Sequence, residues 1–357
     1  MRFFLPLVLL LLAASLSAQS RAGSMYLNGS ANLTVIEPIA NEFDRPPFHR
    51  LSARGGVFLT DRLLLGTSLS VVRSTFGAED YSAILRPFAR LYFAPSERKV
   101  QHFAELSFGT IGLFGTDWFE TDFIVGGGVE SEFKPGILGT ARLRYNANAS
   151  GLNFTTLSLG FNVLLGRLAE AELTSPVAAG TLVSDANVVS VSYGRMSSGG
   201  DTDQLFNASL SPTVGYFVID GLLIEGRLGI AANSSSNEIG SQSSNFNSTS
   251  IGGGLGLRYY PLQSGRVLPF VTAGYSGTQQ TFRTTQFGRE TEQTFSQNSL
   301  ELGVGASCFL SPHLALEGSL GYRRMAFNFD FQGQAPDPIA NKDLQLDVGF
   351  RFYLPAQ

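Results

Sequence analysis

The chain has 357 residues, 43% of them hydrophobic and only 15% charged, with a formal net charge of −4. That length allows two domains of ordinary size, and the slight acidic balance offers no basic face to nucleic acid. Beyond the N-terminus no apolar run is long enough for a membrane helix, and a single cysteine, Cys308, excludes an intramolecular disulfide framework.

Residues 1–18 read as a secretion signal: Arg2 supplies the positive start, Phe3 to Ala14 the apolar core, and Ser15, Ser17 and Ala18 the small residues of a cleavage site. From there the apolar pattern has a period of two, the mark of a β-strand whose side chains leave alternate faces. Residues 19–166 carry eight such segments, near Met25–Leu33, Leu51–Leu59, Leu63–Val72, Leu85–Phe93, His102–Ile111, Phe123–Phe133, Leu138–Asn146 and Phe154–Leu165. In the last, Leu157, Leu159, Phe161 and Val163 oppose Ser158, Gly160 and Asn162.

Residues 167–187 interrupt the pattern with a short helix-like stretch and a Pro- and Gly-bearing segment, read as a periplasmic linker. Eight further strands are expected in 188–357: Val188–Gly194, Leu205–Val218, Leu222–Ala231, Ile251–Tyr260, Val267–Gly277, Ser299–Leu310, Leu314–Arg324 and Asp343–Leu354. Short turns such as Asp220-Gly221 and Ser311-Pro312-His313 alternate with long polar stretches, Ala232–Ser248, Gln279–Asn298 and Asn328–Lys342, expected as outer loops. Tyr92, Phe93, Tyr259, Tyr260, Phe309, Phe352 and Tyr353 cluster beside the turns and suggest an interfacial girdle.

The final strand is the clearest. Leu344, Leu346, Val348, Phe350, Phe352 and Leu354 alternate with Asp343, Gln345, Asp347, Gly349, Arg351 and Tyr353. A face this apolar backed by one this polar suits a strand with lipid on one side and a polar lumen on the other; about 9–11 residues cross the hydrocarbon. The fold class is all-β. The connection at 167–187 is long enough to join two tandem eight-stranded antiparallel up-and-down transmembrane barrels, with one sixteen-stranded barrel as the alternative.

Each half resembles the small outer-membrane β-barrel domain family, the OmpA/OmpX-like porin-fold group of Gram-negative bacteria. The resemblance is carried by the terminal-strand pattern Asp347, Gly349, Phe352, Leu354, which repeats at the end of the first half as Ser158, Gly160, Val163, Leu165. It implies location in the cell outer membrane, contact with outer-membrane lipid, and handling by periplasmic chaperones and the barrel assembly machinery, which reads that pattern.

Strand parity sends the charges to the lumen. Arg54, Arg86, Arg90, Arg142 and Arg144 face Glu105, Glu130 and Glu132 in the first half; Arg227, Arg258, Arg323 and Arg351 face Glu225, Glu301, Glu317 and Asp347 in the second. Opposite charges in so narrow a lumen are expected to pair and close it. No metal spacing, nucleotide fingerprint or cofactor motif is present, and the one loop histidine, His49 near Asp44, has no serine assignable to it. The sequence therefore points to a non-catalytic structural, adhesive or surface-recognition protein, its extracellular ligand unnamed. The competing readings are a sixteen-stranded porin for small solutes, an outer-membrane enzyme, and a soluble barrel with the reverse parity.

Overall fold

The computed structural model describes residues 21–28, 32–41, 48–73, 81–94, 98–114, 120–147, 152–166, 175–185, 187–198, 201–239, 242–286, 289–330 and 339–355. The expected secretion signal, residues 167–174 of the expected linker, Asp44, and residues 287–288 and 331–338 of the expected outer loops lie outside them.

Sixteen antiparallel strands close into one barrel, the alternative raised by the sequence. The first eight are β1 (Met25–Asn28 and Asn32–Asn41), β2 (Phe48–Phe58), β3 (Leu63–Arg73), β4 (Tyr81–Tyr92), β5 (Val100–Phe114), β6 (Glu120–Lys134), β7 (Ile137–Ala147) and β8 (Leu152–Leu165). The second eight are β9 (Leu182–Asp185 and Asn187–Ser198), β10 (Asp201–Leu210 and Thr213–Ile219), β11 (Leu222–Ile239), β12 (Gln242–Tyr259), β13 (Val267–Gln286), β14 (Arg289–Ser311), β15 (Leu314–Asp330) and β16 (Ile339–Leu354). β10 is broken at Ser211-Pro212, where proline has no N–H to give the ladder.

Alternation sets the two faces. On the exterior, Leu255 is 72% exposed, and Leu302, Val304, Leu344 and Leu346 lie on the same side. The outward apolar rows run from Tyr259 to Ile251 on β12 and from Val267 to Tyr275 on β13, then turn polar. Each row spans nine residues of its strand, which matches one hydrocarbon crossing, about 9–11 residues when tilted. Cys308 lies in the outward row of β14, opposite Val267.

The wall has one departure from a simple cylinder. At the turn end, β1 pairs with β8 from Met25↔Leu165 to Asn28↔Asn162, while β9 pairs with β16 from Leu182↔Leu354 to Asp185↔Arg351. At the opposite, hairpin end the partners are exchanged: β1 pairs with β16 from Asn32↔Gly349 to Asn41↔Asn341, and β9 with β8 from Asn187↔Gly160 to Met196↔Leu152. Two eight-stranded rings at the turn end thus merge into one sixteen-stranded wall. The exchange falls beside Gly160 and Gly349, the glycines of the two terminal-strand patterns.

A septum separates the rings. Ile137 and Val163 from the outer face of the first ring meet Leu314 and Phe352 of the second in one buried cluster, with Leu27, Phe161, Leu165, Leu310 and Phe350 packed against it. These parities match lipid-facing positions, but the lipid is replaced by the other ring.

Three expectations are corrected. Two separate barrels are excluded by the continuous β8–β9 ladder, since the ninth strand begins at Leu182, inside the stretch read as linker. The stretches Ala232–Ser248 and Gln279–Asn298 are mostly strand: β11 runs to Ile239 and pairs with β12 from Gln242, and β13 runs to Gln286 and pairs with β14 from Arg289. Their Ser, Thr, Asn and Gln residues leave the membrane but keep pairing, and β14 alone has 23 residues, roughly 75 Å of extended chain. Finally, Tyr92, Tyr260, Phe309 and Tyr353 are not girdle residues but point inward and are buried, while Phe93 and Tyr259 do face outward. Neighbours along a strand cannot share a face, so Tyr259 and Tyr260 are divided between lipid and lumen.

Candidate functional site

Each ring is closed by a plug in two layers. In the first lobe (β1–β8) the lower layer is apolar: Tyr26, Phe58, Leu64, Tyr92, Leu138 and Leu164 are all at most 1% exposed. Above it sits Arg90, fully buried, its guanidinium 4.0 Å from the Phe103 ring centroid. Arg90 Nε and Nη2 donate to Glu105 Oε2 at 3.1 and 2.8 Å, and Nη1 donates to Glu130 Oε1 at 2.5 Å. Glu130 also accepts from the Tyr92 hydroxyl at 2.7 Å and from Asn162 Nδ2 at 3.1 Å, while Arg54 Nη2 lies 2.7 Å from Glu105 Oε2. Arg21 covers the turn side, buried, its guanidinium 4.9 Å from the Tyr92 ring centroid.

The second lobe (β9–β16) repeats the plan with different acids. Val183, Phe217, Leu223, Tyr260, Phe309 and Tyr353 form the apolar layer. Arg258 stacks 4.1 Å from the Phe270 ring centroid and pairs with Glu317 through Nη1 at 2.5 Å. Arg351 bonds Asp185 through Nε at 3.2 Å and Glu225 through Nη1. The Tyr353 hydroxyl and Ser307 Oγ donate to Glu317 Oε1 at 2.5 and 2.8 Å. Glu130 and Glu317 each accept from an arginine and from a hydroxyl, and Glu105 and Glu225 each face two arginines, so these plug carboxylates are compensated, the condition for such a network to be tolerated.

The two plugs coincide strand by strand. Arg90 and Arg258 lie on the fourth strand of their lobes, Phe103 and Phe270 on the fifth, and Gly128 and Gly305 on the sixth. Each ring occupies the space a Cβ would need: a Cβ on Gly128 would come 2.9 Å from Phe103 Cζ, and one on Gly305 2.5 Å from Phe270 Cζ. The glycine admits the ring, and the ring supports the arginine. The entry turns match too: Gly23 N donates to Phe58 O as Gly180 N does to Phe217 O, at 2.7 and 2.9 Å. Asp61 Oδ1 accepts from Arg21 N at 2.7 Å, and Asp220 Oδ1 from Ala179 N at 2.8 Å.

Above the plugs the lumen widens. In the second lobe a chamber of about 550 Å³ is lined by Thr34, Arg227, Ser299, Glu301, Arg323 and Asp347 among others. Here Arg227 pairs with Glu301 at 3.5 Å, and Arg323 with Asp343 at 3.3 Å. Asp347 accepts from Thr34 Oγ1 at 3.0 Å and Gln345 Nε2 at 2.6 Å rather than from an arginine.

Of the lumen residues named from sequence, Arg54, Arg90, Glu105 and Glu130 meet in the first plug, and Glu225, Arg258, Glu317 and Arg351 in the second. Arg227, Glu301, Arg323 and Asp347 line the chamber. Arg86, Arg142 and Arg144 lie on the first-lobe wall above its plug. Glu132 accepts the Gly136 amide at 3.0 Å across the β6–β7 turn. In the terminal pattern, Gly349 borders the partner exchange, Phe352 is in the septum, and Leu354 pairs with Leu182. His49 is in strand β2, not a loop, with Nδ1 2.6 Å from the Tyr81 hydroxyl. Sequence reasoning missed the tyrosines. The recurring Arg-x-Tyr of Arg90-Leu-Tyr92, Arg258-Tyr-Tyr260 and Arg351-Phe-Tyr353 was the available sign, since residues two apart share a face.

A family model described as outer membrane protein beta-barrel domain matches residues 169–352. The chain belongs to that family. The match spans the second lobe and the connection leading into it, and with the lipid-matched exterior it puts the protein in the outer membrane. No curated protein matches the chain by sequence. Among solved structures the chain is similar to a bacterial polysaccharide outer membrane secretin, at 9% identity, covering 95% of this chain and 100% of that one, with a TM-score of 0.46. It is also similar to OmpT of Vibrio cholerae (13% identity, 92% and 98% covered, TM-score 0.34) and to OprG of Pseudomonas aeruginosa (13%, 50% and 98%, TM-score 0.28).

Proposed function

We propose that this outer-membrane barrel is a sealed cup, not a diffusion pore: its periplasmic end is shut by the two plugs, and its outer half is a polar chamber that recognises an extracellular ligand. The observation that carries this is the double closure at the turn end, where Arg90 and Tyr353 are completely buried over a layer of apolar and aromatic side chains and bonded to buried glutamates. An open porin has solvated charges lining a continuous lumen, and burying them all at one level leaves no water path. The orientation follows the rule that short turns face the periplasm. The role is non-catalytic. The strand-by-strand match of Arg90–Phe103–Gly128 with Arg258–Phe270–Gly305 supports a tandem origin in which one eight-stranded unit, 19–166, was doubled and its copies fused at the rim.

The decisive measurement is conductance of the purified protein in planar bilayers. The expected result is no steady current. Stable, large, porin-like steps from the wild-type chain would overturn the cup and favour transport.

A further inference from the structure

The two lobes do not balance their lumen charges alike. In the second lobe Arg227, Arg258, Arg323 and Arg351 each have a carboxylate within 4 Å. In the first lobe, among the described residues, no carboxylate lies in ion-pair range of Arg142 or Arg144. The carboxylate whose charge acts on both, Glu105, already holds Arg54 and Arg90.

Arg142 is 9% exposed and its Nε has no hydrogen-bond partner. A buried guanidinium left in this state is costly unless an anion completes it. Arg144, half-buried two residues nearer the hairpin end of β7, is acted on by the charges of Arg142, Arg54 and Arg86. The neighbouring strand makes room for Arg144, which lies opposite Gly126, where a Cβ would come within 2.8 Å of Arg144 Cγ. Alanine at Gly126 would displace the Arg144 side chain. The arrangement gathers positive charge on the first-lobe wall above its plug, beside a small cavity of about 40 Å³ lined by Arg142, Thr140, Ser158 and Asn162, with planar N–H groups suited to paired oxygens.

We infer that the first-lobe wall at Arg142 and Arg144, flanked by Arg54 and Arg86, is a binding site for a small oxyanion, the phosphate or clustered carboxylate groups of a solute entering from outside the cell. This deepens the cup reading and rests on it for the route of entry.

The test is calorimetric titration of the refolded barrel in detergent with inorganic pyrophosphate and, in a separate arm, citrate. Saturable binding that weakens with salt is expected, falling at least tenfold in Arg142→Gln and Arg144→Gln and retained in Arg227→Gln of the second lobe. The arm that binds more tightly separates phosphate from carboxylate recognition. Should the variants not fold, wild-type protein treated with phenylglyoxal serves instead: pyrophosphate or citrate should slow modification of Arg144, read by mass spectrometry. Absence of binding by both anions, equal binding in the variants, or unprotected Arg144 would overturn the inference. Steady conductance with anion binding still mapped to Arg142 and Arg144 would sink the cup while leaving the site standing.

Discussion

Phe161 of the first lobe and Phe352 of the second face each other across the septum with ring centroids 5.1 Å apart. Each sits where a simple barrel strand would turn its side chain to lipid, so the pair marks the place where two rings share a wall. It also accounts for the partner exchange: four strands can pair inside their own ring only while the septum holds the rings together, and once the inserted side chains end, the strands re-pair across the gap.

Paired cysteines test the exchange directly. Directly opposed residues on antiparallel strands have Cα atoms about 4.5–5.5 Å apart, within disulfide reach. In a Cys308→Ser background, Leu27→Cys with Val163→Cys should cross-link, and so should Leu157→Cys with Val191→Cys. Two separate barrels would give only the first bond and an unpinched cylinder only the second, so non-reducing peptide mapping of both variants discriminates among the three.

Phe352→Ala should weaken the barrel by about 3–5 kcal/mol, the usual loss for a buried Phe that leaves a cavity. Urea titration read by heat-modifiable gel mobility gives the number. A double-mutant cycle with Phe161→Ala should return a coupling of about 0.5–1.5 kcal/mol from the aromatic pair itself. At a lipid-facing position such as Leu302, 51% exposed, the same truncation should cost much less.

The plug predicts a sharp contrast between two glutamates. Glu130→Gln leaves Arg90 buried beside a neutral amide and should cost roughly 3–5 kcal/mol. Glu292→Gln removes the partner of Arg283 at 2.8 Å, but both side chains are half exposed, and such pairs are worth about 0–1 kcal/mol. Equal losses at the two sites would show that Glu130 is not desolvated.

These contrasts mark what was legible in the chain. Alternation settled which face each residue takes, because a period of two is a local property, and Arg90, Glu130, Arg258 and Glu317 were accordingly placed in the lumen. The septum was not legible, for Leu314 and Phe352 have the same parity and chemistry as residues that meet lipid. Nor was the exchange, since a ladder between β1 and β16 joins residues some 300 positions apart. Long polar stretches read as loops because Ser-, Asn- and Thr-rich strands with two wet faces carry no hydrophobic rhythm.

Glycine substitution tests the stacked plugs. At Gly305 an added methyl would collide with the Gly318 carbonyl and reach 2.5 Å from Phe270 Cζ, so the ring that supports Arg258 must move. Gly305→Ala should destabilise by about 1–3 kcal/mol, typical of overpacking. Gly229→Ala, where an added Cβ meets nothing within 4 Å, should be neutral or slightly stabilising.

Among the described residues, His313 gives a pH dependence outside the membrane. It occupies the β14–β15 turn with Nδ1 3.1 Å from the Tyr353 carbonyl oxygen. Burial pushes its pKa below the ordinary value and the nearby Lys134 charge adds to the effect, while the bond to Tyr353 opposes both. The folded state therefore resists protonation more than the unfolded chain does. Its contribution is complete above the ordinary histidine value of 6.5 and is lost as pH falls from there toward the lower folded pKa. Urea midpoints of the wild type should fall between pH 7 and pH 5 by more than those of His313→Gln. Parallel curves would show that His313 is already solvated and that the Tyr353 contact does not hold in solution.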